Sequence, residues 1–185
     1  MKIAFITGGQ MRFKKDWVNN FDFIKVDYND QIDFYSTFWN KSWTKIDSNL
    51  ITVYNDINLN KIILEKFLKQ NLQGKVNNFQ MILTDEPTFN LSEMFIKSHP
   101  RYHQDKVYLH DLICQHYSLY ISYLLLLESK ETYDCIIRFR MDGTPDREIN
   151  LKTLDLKKYV YTPKNCCFSN WDEFPEINDQ FAIGS

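Results

Sequence analysis

Apolar runs of two different periods alternate along this chain, and that alternation narrows the folds open to it more than any other feature. Short runs rich in β-branched and aromatic residues occur at 2–7 (KIAFIT), 32–38 (IDFYSTF) and 79–83 (FQMIL), and they predict strands. Apolar residues at helical spacing fill the intervals. Phe13 and Trp17 lie four apart in a short helix predicted over 12–20, and Leu59, Ile62, Ile63, Phe67 and Leu68 predict another over 59–72. Residues 106–130 read as one long helix, apolar over much of its girth through Val107, Leu109, Leu112, Ile113, Leu119, Ile121, Leu124, Leu125 and Leu127, and expected to lie packed on the sheet. A strand over 135–140 follows directly. Residues 51–54 are a weaker strand candidate, 89–104 read as irregular or a short helix plus loop, and 144–176 as loop-rich around a short strand at 159–161. Such alternation predicts a layered α/β fold with a mostly parallel sheet.

The chain has 185 residues, enough for one domain with a real core and too few for two comfortable ones, so 1–185 is read as a single α/β domain. Hydrophobic residues make up 44% and charged residues 25%, which argues against disorder and against a coiled coil. The formal charge of −2 gives no electrostatic case for a nucleic-acid partner. No secretory leader is visible, and the most apolar helical stretch, 117–127, is broken by Ser118 and Ser122 and falls short of the roughly 20 residues a membrane span needs. A cytoplasmic location without a membrane span is the expectation. Cys114 and Cys135 fall in apolar contexts and read as core residues; Cys166 and Cys167 are vicinal, with no metal-ligand spacing. His99, His103, His110 and His116 make no HExxH pattern and read as surface or packing residues.

Three stretches carry candidate chemistry. Gly8-Gly9-Gln10-Met11-Arg12 follows the first strand; it is either a plain tight turn or a phosphate contact in which bare backbone, helix amides and Arg12 meet a ligand. In YDCIIRFRMDG (133–143), strand alternation places Arg138, Arg140 and Asp142 on one face and Ile137, Phe139 and Met141 on the other. Two cations and a carboxylate then lie within about 14 Å of strand length at the carboxyl end of an interior strand. They form either an ion-pair network, with Asp134, Asp146 or Asp142 as partners, or an anion and metal site. The third stretch, 178–185 (NDQFAIGS), places Asp179 and Gln180 at the start of a strand and taken alone is a loop. In an open α/β sheet, ligands bind beyond the carboxyl ends of the strands.

Together these stretches, with Asp33-Phe34-Tyr35-Ser36-Thr37-Phe38-Trp39, resemble a glycosyltransferase-like family of polysaccharide and lipopolysaccharide gene clusters and large DNA viruses. Its members look like KIAxxxxGQxR, DxFxxxW, YDxIIRxRxD and NDQFAIGS in this order. The resemblance implies a Rossmann-like three-layer α/β/α sandwich of the GT-A type that moves a sugar from a nucleotide-diphosphate donor to a glycan or lipid-linked acceptor. By that analogy Gly8, Gly9, Gln10 and Arg12 cradle the nucleotide, Arg138 and Arg140 face the diphosphate or fix Asp142, and Asp142 contacts Mn²⁺ or Mg²⁺ or the ribose. Asp179 addresses the donor sugar or the acceptor, so Asp142 and Asp179 are the expected catalytic pair. Two departures stand out: position 140 is Arg where the family type has the first acid of a DxD, and the chain stops at Gly184-Ser185 where such enzymes continue, so a truncated chain is expected. A non-catalytic nucleotide- or glycan-binding module is the alternative.

Overall fold

The computed structural model describes residues 1–10, 24–25, 27, 29–39, 76–84, 87, 89, 106–139, 148–162 and 181–185. Within them the elements run β1 (Lys2–Gln10), β2 (Ile24–Lys25), β3 (Gln31–Trp39), β4 (Val76–Thr84), α1 (Lys106–Glu128), β5 (Cys135–Phe139), β6 (Ile149–Asn150), a 3₁₀ turn (Leu151–Thr153) and β7 (Phe181–Gly184). A five-stranded sheet has the order β4-β3-β1-β5-β7. The β1–β3, β3–β4 and β1–β5 pairs are parallel, and only β7 runs antiparallel to its neighbour. A second ladder pairs β2 with β6. The expected α/β class with a mostly parallel sheet is therefore observed.

Strand alternation divides the core into two faces. On one, Phe5, Phe34 and Phe79 form a row across three strands, with Phe5 and Phe34 ring centroids 6.2 Å apart and Phe34 and Phe79 5.6 Å apart. Phe139 meets Phe5 edge-on at 5.7 Å. This face is closed by Ile24 from β2, Leu151 from the 3₁₀ turn, and half-buried Ile149, Leu154 and Leu156. On the other face Ala4, Ile6 and Tyr35 meet α1 through Leu126, Leu125 and Leu119. Buried apolar residues of β1 and β3 lie on both faces because both faces are covered, as parallel sheets require, and Thr7, Asp33, Ser36 and Thr37 are buried among them.

The helix ends where the backbone can no longer continue it. Ser129 N–H bonds back to the Leu125 and Leu126 carbonyls, Lys130 N–H to the Leu127 carbonyl, and Lys130 turns left-handed at φ 57°. That closure occupies the place usually given to glycine. Among the described residues no helix is long and apolar enough to cross a membrane.

Two expectations change. Residues 8–10 continue β1 and make no tight turn after Thr7, because the parallel ladder to β3 extends through Gly8–Thr37, Gly9–Phe38 and Gln10–Trp39. Residues 159–161 are not a strand; a turn held by the Asp155 carbonyl, which accepts from Lys158 and Tyr159, delivers Tyr161 to a single antiparallel bridge with Ile183. The opposite sheet face is closed, among the described residues, by the β2–β6 ladder and the 3₁₀ turn, while the helices expected at 12–20 and 59–72 and the strand at 51–54 lie outside the described residues.

Candidate functional site

The strand order locates the switch point of the sheet. From β1 the chain passes to β3 and then β4 on one side, and after α1 it returns to β5 on the other side of β1. Connections that diverge in this way leave a crevice between the carboxyl ends of the two strands. Here those ends are Gly8-Gly9-Gln10 of β1 and Arg138-Phe139 of β5.

Each end has a local cause. Gly8 faces α1, where an added Cβ would stand 2.8 Å from the Ser118 carbonyl carbon and 2.9 Å from the Leu119 amide nitrogen. What approaches Gly8 closely is therefore the helix backbone. Gly9 has φ +107°, a conformation L side chains rarely adopt, and an added Cβ there would meet Gln115 Cγ at 3.3 Å. The Ser122 hydroxyl, 2.8 Å from the Thr7 carbonyl and 2.9 Å from the Ser118 carbonyl, ties the helix to the same strand end. Trp39 adds a further tie, its indole N–H donating to Ser118 Oγ at 2.5 Å.

On β5 the burial alternates as expected, with Cys135, Ile137 and Phe139 buried and Ile136 and Arg138 half-buried. Arg138 stands in register with Ile6 of β1 on one side and Ala182 of β7 on the other, on the face that α1 covers. The antiparallel sense of β7 has a positional result. Its first residue, Phe181, pairs with Phe139, the last residue of β5, so the start of β7 lies beside the end of β5. Three separate stretches of sequence thus converge on one edge of the sheet: Gly8-Gly9-Gln10, Arg138-Phe139 and Phe181. Arg12, Arg140, Asp142 and Asp179 lie outside the described residues, as do Cys166, Cys167, His99 and His103. Cys114 and Cys135 are buried, and burial pushes the Cys135 thiol up to about 12, so it is protonated and inert at neutral pH. Among the described residues no group of His, Cys, Asp and Glu is placed to hold a metal ion.

Two of the sequence motifs meet elsewhere, at the opposite end of the strands. Asp33 is 2% exposed, and its carboxylate accepts the Tyr133 hydroxyl at 2.7 Å and the Asn77 amide at 3.5 Å. The Tyr133 and Tyr35 hydroxyls lie 2.6 Å apart, and Lys2, bound to Glu131 at 2.5 Å, places its ammonium 5.2 Å from the Tyr133 ring centre. Burial, followed by the bonds to Tyr35 and Asp33, drives the Tyr133 pKa upward, so the phenol keeps its proton and remains the donor. Asp33 and Trp39 therefore act as fasteners of the fold. The only trace of this in the sequence is one acid inside a run that carries no other charge. Tyr133→Phe strips the buried carboxylate of its short hydrogen bond, and because bonds to charged groups contribute about 1.5–3 kcal/mol, the melting temperature is expected to fall by roughly 3–12 °C. In an Asp33→Asn background the same change should cost clearly less; equal costs in both backgrounds would mean the two side chains are not coupled.

Comparison with known proteins returns no matching family model, no matching curated protein and no matching solved structure.

Proposed function

We propose that the crevice between β1 and β5 binds the diphosphate of a nucleotide sugar and that the chain is a glycosyltransferase of the Rossmann-like, three-layer GT-A type. The observation that supports this reading is the convergence at the switch point: the glycine end of β1, the Arg138 end of β5 and the start of β7 share one edge of the sheet. Gly9 and Gln10 present backbone to the ligand, while Gly8 keeps its small size for α1. Arg138, with Arg140 two residues on, supplies positive charge where the leaving diphosphate develops negative charge, and guanidinium suits that task because it pairs bidentately with phosphate. Arg12 completes the cradle. Asp179, two residues before Phe181, addresses the donor sugar or the acceptor, and Asp142 contacts the ribose or a divalent cation.

The described residues at this edge offer no carboxylate set for such a cation, so Asp142 is its one proposed protein ligand. When bound, Mn²⁺ or Mg²⁺ would add neutralising charge at the diphosphate. The work of this chain's own residues is to hold the donor and stabilise its leaving group.

A ligand that binds only the folded state must stabilise it, by about 2.7 kcal/mol at a hundredfold excess over its Kd. One of UDP, GDP, CMP or dTDP, tested with and without Mn²⁺, is expected to raise the melting temperature, and Arg138→Gln to remove most of that rise. If none of the four moves the transition, the donor-binding reading fails. A second reading, a non-catalytic nucleotide-binding module, draws on the arginine at position 140. Turnover of the sugar conjugate of the responding nucleotide separates the two.

A further inference from the structure

Three polar side chains interrupt the sheet-facing side of α1 at 115, 118 and 122, a spacing of three and four that sets them in one stripe. Two of them are spent on the fold. The buried Ser122 hydroxyl bonds to the Thr7 and Ser118 carbonyls, and the buried Ser118 hydroxyl bonds to the Cys114 carbonyl and accepts the Trp39 indole N–H. The third, Gln115, is half-buried, its Cγ stands 3.3 Å from where a side chain on Gly9 would begin, and its carboxamide has no hydrogen-bond partner among the described residues. We propose that Gln115 is a ligand-binding residue of the crevice, whose carboxamide reads the uncharged nucleoside of the donor; the inference rests on the donor-site reading above.

Placement sets Gln115 apart from the two serines. Gln115 lies against Gly9, Ser118 against Gly8, and Leu126 packs with Ala4 and Ile6, so α1 runs antiparallel to β1. The unpaired member of the stripe is therefore the one level with the carboxyl end of β1, where an open α/β sheet receives its ligands. Among the described residues the β1–β5 ladder ends at Ile6–Arg138, while β1 runs on to Gln10. Arg138 stands on the face that α1 covers, so guanidinium and carboxamide belong to the same layer, between sheet and helix.

Sheet order assigns the part of the donor that Gln115 meets. Along the carboxyl edge come the end of β1, the end of β5 and the start of β7. A nucleotide sugar has its diphosphate in the middle. With that diphosphate at Arg138 of β5 and the sugar toward β7, the nucleoside falls at β1, beside Gly9 and Gln115. The chemistry of the side chain agrees. A carboxamide carries no charge and presents a donor and an acceptor side by side, which matches the amide edge of a base or the paired hydroxyls of a ribose. For phosphate it would be a poor substitute for arginine.

The test measures the affinity of the nucleotide that responds among UDP, GDP, CMP and dTDP, and of inorganic phosphate or pyrophosphate matched to it, on the parent and on Gln115→Met and Gln115→Leu. Both variants remove the amide at similar size and helix propensity, so the melting temperature without ligand should not fall. Nucleotide affinity is expected to drop about tenfold, the scale of two neutral hydrogen bonds, while the inorganic anion binds as before. The same nucleotide with and without its ribose 2′-hydroxyl separates the two edges: a preference that vanishes in the variants assigns the amide to the ribose, and one that persists assigns it to the base. Unchanged nucleotide affinity in both variants, or an equal loss for the inorganic anion, would overturn the proposal and leave the donor site standing. Binding of none of the four nucleotides to the parent would remove the donor site and this residue's role together.

Discussion

Gly8→Val is expected to destabilise the protein by about 3 kcal/mol or more, and Gly8→Ala by about 2 kcal/mol, in the range of overpacked cores. The space a side chain would need is filled by peptide backbone of α1, with Ser118 C at 2.8 Å and Leu119 N at 2.9 Å. Backbone inside a helix cannot swing aside as a flexible side chain does, so α1 as a whole must lift. Lifting it strains the Ser122 bond to the Thr7 carbonyl and the contacts of Leu119, Leu125 and Leu126 with Ala4, Ile6 and Tyr35. Chemical denaturation would show the loss as a lower midpoint with an unchanged slope. The outcome also assigns the residue. A Gly8→Ala variant of undiminished stability that no longer responds to nucleotide would move Gly8 from the helix interface to the ligand.

Phe34→Ala should cost more, about 3–5 kcal/mol. Phe34 is fully buried at the centre of the aromatic face, with Phe5 at 6.2 Å, Phe79 at 5.6 Å and Phe139 at 6.1 Å between ring centroids. These three rings stand on β1, β4 and β5, so no single strand can move to close the void. A native state stable by 5–15 kcal/mol would lose a large share of that margin. Phe34→Leu leaves a smaller gap and is expected to cost less than half as much. If the alanine variant melted within a degree or two of the parent, this face of the sheet would not be the packed core described above.

The strands around 32–38 and 79–83 and the helix over 106–130 were legible in the sequence because each is a sustained run rich in apolar and aromatic residues. Their ends were not. Residues 8–10 read as a turn because glycine has no side chain to pack; they remain in β1 because β3 extends alongside and supplies the ladder bonds. Tyr159 and Tyr161 have strand-like composition, but of the two Tyr161 alone is bridged to a strand, at Ile183. Asp33 and Tyr133 lie a hundred residues apart, and no local pattern pairs them.

What the sequence determined alone was the period of each run, and with it the class of the fold: alternation of period two and period 3.6 admits little besides helices layered on a mostly parallel sheet. Tertiary structure decided which ends of those runs stand together. The start of 181–184 reads as the far end of a strand until its antiparallel pairing sets Phe181 beside Phe139, and Gly8 reads as room for a ligand until α1 fills that room. The physical reason is range. Periodicity reports on burial within a few residues, whereas strand direction, strand order and close backbone approach follow from contacts between segments far apart in the chain.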